Sequence, residues 1–250
     1  MLKDNPLTRP VPTEIPLKKA PLVKVIAQLR FPTMASLVKE DFIASFQEAV
    51  QDHYPVLRLE QSPVGKIWKF NNEQADWALS LSNDFIALNT SSYVSRSDFL
   101  ERWGKVLTKA NEHFHLKYYD RLGIRYIDRI ANEAMTQVEK FIRPEALGII
   151  THFAQNEMMH AMSEAVFQVD DSQLLARWGK LAAQSTIDPS AIEPRQDESW
   201  LLDIDMFTKK TASFDIDTLI QLSLFYTERI YSFFRWMVTD EFLKYYGGKL

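Results

Sequence analysis

Between Trp77 and Thr90 the chain reads WALSLSNDFIALNT. Trp77, Leu79 and Leu81 alternate with Ala78, Ser80 and Ser82, and the alternation resumes after Asn83-Asp84 with Ile86, Leu88 and Thr90. A period of two is the signature of a strand with one covered face, and Asn-Asp is a good two-residue hairpin turn. With that turn Leu81 faces Ile86, Leu79 faces Leu88 and Trp77 faces Thr90, so five of six partners on one face are apolar. The opposite face carries Ala78, Ser80, Ser82, Ala87 and Asn89, with Phe85 as its large apolar member. Few registers satisfy this pattern, and all of them belong to an antiparallel sheet.

The neighbouring segments extend that sheet. From Leu22 to Phe31, Val23, Val25, Ala27, Leu29 and Phe31 alternate with Lys24, Gln28 and Arg30, a half-buried strand. Phe42, Phe46, Val50 and Tyr54 recur at helical spacing until Pro55. Gly65 to Phe70 reads as another strand. A strong amphipathic helix follows the hairpin, capped at Ser97 or Asp98, with the stripe Phe99, Trp103, Val106, Leu107, Ala110 and Phe114.

The order then begins again. Arg121 to Ile130 is a strand and a short helix lies around Val138, Phe141 and Ile142. Residues 156–182 read as two strands turning at Asp170-Asp171, with a helix left open by their Ala and Met content. Gln184 to Ser199 is a polar loop. Trp200 to Phe207 is a strand with Trp200, Leu202, Ile204 and Met206 inward, and Asp217 to Val238 is a long helix striped by Leu219, Leu222, Tyr226, Ile230, Phe233 and Met237. Each half runs strand, helix, three strands, helix, and Leu29-Arg30-Phe31 echoes Ile124-Arg125-Tyr126. The expectation is an α+β fold of pseudo-duplicated β-α-β-β-β-α units, residues 21–117 and 118–250, in one antiparallel sheet with helices on one face. The expected architecture is like that of the TATA-box-binding-protein superfold. Residues 1–20, with four prolines and charges of both signs, form an extended arm outside a single α+β domain over 21–250.

Composition bounds the chemistry. At 250 residues with 46% hydrophobic side chains, the chain can bury a core without staples. It has no Cys, which excludes disulfides, thiolate zinc sites and cysteine nucleophiles. Only 7 Gly leaves little for a phosphate-cradling loop. A net charge of −4 disfavours nonspecific nucleic-acid binding. The N-terminus shows no apolar export segment and no run reaches membrane-spanning length, so a cytoplasmic location without membrane contact is expected.

Several constellations invite a functional reading. Strand parity places Arg30, Arg125 and Arg129 on the polar face of the sheet with Gln28, Ser80 and Asn89, and the same logic places Asp203 and Asp205 there. Such a face is either solvated, with Arg–Asp cross-strand pairs, or a platform for a ligand. Asp203-x-Asp205 also has the spacing by which two carboxylates share divalent cations in phosphoryl chemistry. The arginines are placed to neutralise them, so pairing without a metal is expected. His113 and His115 point to different sides of a helix. His152, Glu157 and His160 converge only if their stretch is helical, where Glu157 and His160 have the spacing of half a di-iron site. No second half, nucleophile elbow, Walker loop or zincin motif accompanies them. On the C-terminal helix, Phe225, Tyr231, Phe234 and Trp236 lie beyond the inner stripe. Either the arm and the coda at 239–246 cover them, or they form a protein–protein contact.

LRFP at 29–32, LSLSNDFIALNTSSY at 79–93, LGIRYIDRI at 122–130, LLDID at 201–205 and VTDEFLKYYG at 238–247 follow one another in an order that resembles a sporadically distributed, uncharacterised bacterial family of similar length. The resemblance covers nearly the whole chain. It departs at Asp128, where the family pattern has an asparagine. The family's patchy distribution implies a gene on mobile or defence-associated DNA, and it supplies no catalytic residues.

The expectation is therefore a non-enzymatic protein-interaction component, without cofactor or metal, whose partner is another protein or a second copy of itself. It would belong to a defence or toxin–antitoxin-like system. The alternatives are a nucleic-acid or nucleotide-binding module on the arginine-bearing face, with nuclease or nucleotidyl activity as its extreme form, and a structural homodimer.

Overall fold

A computed structural model describes residues 5–62, 65–151 and 157–250. In chain order the strands are β1 (Leu22–Arg30), β2 (Val56–Ser62), β3 (Gly65–Asn71), β4 (Trp77–Leu81), β5 (Phe85–Thr90), β6 (Tyr118–Tyr119), β7 (Arg121–Ala131), β8 (Ala161–Val169), β9 (Ser172–Leu181), β10 (Ser199–Thr208) and β11 (Ala212–Ser213). The helices are α1 (Glu40–Val50), α2 (Arg96–Phe114), α3 (Val138–Phe141), α4 (Pro144–Leu147), α5 (Ile216–Met237) and α6 (Asp240–Tyr245). Nine strands make one antiparallel sheet in the order β2-β3-β4-β5-β1-β7-β10-β9-β8, and β6 pairs with β11 apart from it. The α+β class and the large antiparallel sheet are as the alternation predicts. The chain forms two compact units: Met1–Lys24, Tyr126–Met206 and Glu228–Leu250 make one, and Val25–Arg125 with Phe207–Thr227 make the other.

In the unit built on Val25–Arg125, the register is the one read from the hairpin: Leu81 opposite Ile86, Leu79 opposite Leu88, Trp77 opposite Thr90. Columns of apolar side chains then cross the strands. Leu29, Ile86, Leu81 and Trp68 form one, and Ala27, Leu88, Leu79 and Phe70 form the next. All eight are buried. Phe46 of α1 packs on Phe70 and Phe114, and Trp103 of α2 is fully buried. Ser95, not Ser97 or Asp98, caps α2, its hydroxyl accepting from the Asp98 amide at 3.1 Å. The cap sits one residue outside the first helical turn, where a free amide points back at it.

β2 is a strand that periodicity missed. Among its residues 56–61 only Leu57 is partly covered, the others being exposed. An edge strand with so little burial carries no alternation to read.

In the unit containing Tyr126–Met206, residues 161–169 and 172–181 are strands, closed by the turn at Asp170-Asp171, and no helix forms there. The expectation of a wet face fails at β10. Leu201 and Asp203 are buried as completely as Trp200, Leu202 and Ile204. For Leu201 the segment read as a polar loop is the reason. It brings Ile192 into a core cluster with Ile127, Leu181 and Leu201, and Ile187 and Ala191 pack against that cluster. Sparse apolar residues in a loop have no period, so their burial is invisible to pattern reading. The segment holds its shape through Gln184 N–H to Arg195 C=O at 2.6 Å and Thr186 Oγ1 to Ile192 C=O at 2.9 Å.

Gly179 has φ +142°, and a Cβ there would lie 2.0 Å from the Ala161 carbonyl oxygen. Only glycine lets β8 pass this close to β9. Gly179→Ala is expected to lower stability by about 2 kcal/mol or more in urea titration, since both backbone conformation and neighbouring main chain must yield. An unchanged midpoint and slope would show that the strands separate there without cost.

Candidate functional site

The sheet-face residues singled out by parity each have at least one interaction, and Arg129 also keeps two buried guanidinium nitrogens, Nε and Nη2, without a hydrogen bond among the described residues. Arg30, exposed at the end of β1, forms an ion pair with Asp84 in the β4–β5 turn. Arg125 is half-buried and holds interactions of its own. Arg129 donates from Nη1 to the Glu193 carbonyl at 2.9 Å. Burial, and Arg195 nearby, hold its guanidinium below the ordinary value. Asp203 is 2% exposed, with Arg177 Nη1 3.9 Å from its carboxylate. Arg177 also binds Glu164 through Nε at 2.6 Å. Asp205 is half-buried and partnered. Arg177 was missed because its strand alternates weakly, yet its place opposite Glu164 follows once the turn at Asp170-Asp171 sets the register.

The histidines do not assemble. His115 is the left-handed cap of α2, and His113 lies 3.5 Å from Ser45 Oγ. Glu157 and His160 fall in a turn and an irregular segment ahead of β8, so helical spacing does not apply to them; His152 lies outside the described residues. Among the described residues no group of three His, Asp or Glu is placed to hold a metal ion.

A cleft of about 350 Å³ opens between the end of α1 and α2, lined by His53, Tyr54, Asp98, Arg102, Lys105 and Lys109 among others. Its charges are largely satisfied locally. Arg102 Nε reaches both Asp98 oxygens at 3.0 and 3.2 Å and lies over the Trp77 ring at 4.4 Å. Lys105 binds Glu101 and Lys109 binds Glu112. Burial pushes the Tyr54 phenol up to about 12, far from proton transfer near neutrality.

The last turns of the C-terminal helix are contacted by its own chain. Phe225, Tyr231, Phe234 and Trp236 are all half-buried. The arm crosses α5 in extended form. Tyr231 Oη accepts from the Ile15 amide at 2.8 Å and donates to the Thr13 carbonyl at 3.2 Å. Arg229 Nη1 donates to the carbonyls of Leu7 and Arg9, while Arg9 returns bonds to Ser232 Oγ and C=O. The coda supplies Phe242 against Phe234, and Arg143 lies over Trp236 at 5.0 Å. The prolines keep the arm from closing into a helix, which leaves its backbone groups free for these side chains.

In the same unit strand β7 leaves Asp128 9% exposed, and burial pushes its carboxyl up to about 7. Tyr246, beside it, is raised to about 12 by burial, Tyr245 and the Asp128 charge. Because the folded value lies above the unfolded 3.8, the protonated form is the one the fold favours. Stability is then fully present below about pH 4 and is lost as pH rises through about 7, by an amount on the order of 4 kcal/mol at most.

Two outcomes follow. Asp128→Asn should flatten the dependence of Tm on pH between 4 and 8 and raise Tm at pH 8; a variant that keeps the wild-type slope would assign the titration elsewhere. Deleting residues 1–20 should lower Tm and raise the light-scattering mass, because α5 loses its cover. A truncated chain that stays monomeric and equally stable would show that the arm rests on α5 without protecting it.

No protein-family model matches the chain, and no curated protein matches it.

Proposed function

We propose that the chain is a non-enzymatic protein-interaction component. We take it to act beside other products of a defence or toxin–antitoxin-like locus, as a member of the patchily distributed bacterial family it resembles. One observation carries the reading. β8 ends the sheet, and among the described residues its outward backbone groups bond to nothing. A row of unpaired N–H and C=O groups recruits an added strand from another chain. Val166 stands 57% exposed in that strand, and Met159 just ahead of it 76%.

The strand order supports the finer reading of the fold as a duplicated, TATA-box-binding-protein-like sheet. The first strand of each half, β1 and β7, lies centrally, the last strand of each half is its neighbour, and earlier strands follow outward. Asp120 N–H to Arg30 C=O and Arg129 N–H to Pro21 C=O run the two central strands antiparallel. The first half carries β2 in addition.

The second reading, a nucleic-acid or nucleotide module, rests on Arg129 beside Arg195. It is weaker, because the chain carries net charge −4 and Arg30 and Arg177 already have carboxylate partners.

The test is co-expression of the tagged chain with the products of genes adjacent to its own. Val166→Pro serves as the comparison because it removes an amide at the open edge. A stoichiometric complex with the wild-type chain, lost in that variant, is expected. Complexes that survive Val166→Pro, or a wild-type chain that joins neither a neighbour nor a second copy, would remove the support.

A further inference from the structure

We infer that β8 pairs with β8 of a second copy, antiparallel, with Glu164 of each copy opposite Val166 of the other. The inference rests on reading the sheet edge as an interaction surface and names its occupant.

The register comes from the β8–β9 hairpin. Val169 and Ser172 are opposite each other and enclose only Asp170 and Asp171. Residues that close a two-residue turn bond each other, and bonded and non-bonded pairs alternate from there. The odd-numbered residues of β8 therefore bond β9. Met162, Glu164, Val166 and Gln168 turn their N–H and C=O groups away from it.

The two ends of the sheet differ in how they are guarded. β2 follows Pro55 and exposes Arg58 and Glu60. Proline and charge are the devices that keep edge strands from pairing. β8 has nine residues, AMSEAVFQV, with no proline and a single charge. That charge, Glu164, is held at 2.6 Å by Arg177 on the neighbouring strand of its own chain.

A second copy fits this edge because the edge is its own complement. A two-fold contact places the same patch on both sides. With Glu164 opposite Val166, Met162 falls opposite Gln168, so all four outward residues of each strand find a bonded partner, about eight backbone hydrogen bonds in all. No like charges stand directly opposite each other. A shift that opposed Glu164 to Glu164 would place two carboxylates side by side.

The test is sedimentation equilibrium on the full chain, with far-ultraviolet circular dichroism to confirm folding. The wild-type chain should dimerise. Val166→Glu should weaken the dimer about tenfold, because each new carboxylate faces Glu164 of the other copy. Val166→Lys should hold or tighten it, because the same position then presents an ammonium to that carboxylate. Val166→Pro should give a folded monomer. A dimer insensitive to all three changes would place the contact elsewhere, and equal effects of Glu and Lys would refute the register. A wild-type chain monomeric throughout would end the second-copy inference alone if a neighbour-encoded protein still binds and Val166→Pro removes it. If nothing binds either, the interaction reading falls with it.

Discussion

The cross-strand columns in the unit around β4 and β5 are the constraint on which the rest of that unit depends. Leu29, Ile86, Leu81 and Trp68 lie side by side on four strands, as do Ala27, Leu88, Leu79 and Phe70. Side chains alternate with period two, so a slip of one residue would send a whole column to the other face and replace it with Gln28, Ala87, Ser80 and Lys69. Phe46 and Trp103 pack in this unit as fully buried rings. Each such ring contributes roughly 1.5–3 kcal/mol only while the columns stay in register. The turn at Asn83-Asp84 is thus a small element with wide consequences.

The other unit is organised by coverage of both faces of one strand. β10 buries Trp200, Leu202 and Ile204 on one side, and on the other Leu201 and Asp203. The second side is closed by Ile187, Ala191 and Ile192, three residues of an irregular segment. Asp203 is withdrawn from water beside Arg177, so a charge that would be solvated on an open sheet becomes part of a packed interior, where removing one partner costs more than the pair is worth. Asp128 is buried too, and burial moves its carboxyl toward neutrality.

The arm and the sheet edge contrast in how extended backbone meets its hydrogen-bonding needs. The carbonyls of Leu7, Arg9 and Thr13 and the amide of Ile15 in the arm bond to Arg229 and Tyr231 of α5. Of the aromatic girdle of α5, Tyr231 is bonded by the arm, Phe234 meets Phe242 and Arg143 lies over Trp236. Among the described residues the outward backbone groups of β8 receive no such help.

Sequence alone determined the strands with one covered face, the hairpin register, the amphipathic α2 and α5, and the extended arm, because each repeats a chemical pattern at a fixed period. Parity also assigned Arg30 to the solvent side and Leu29 to the core. Tertiary structure decided what no period encodes. It found the edge strand β2, whose exposed residues need no alternation, and it closed the second face of β10 with scattered loop residues. It made Asp128 a buried acid, and it chose the arm as the cover of Tyr231. It also decided which backbone groups remain unpaired, since every residue carries the same donor and acceptor and only the fold determines where they point.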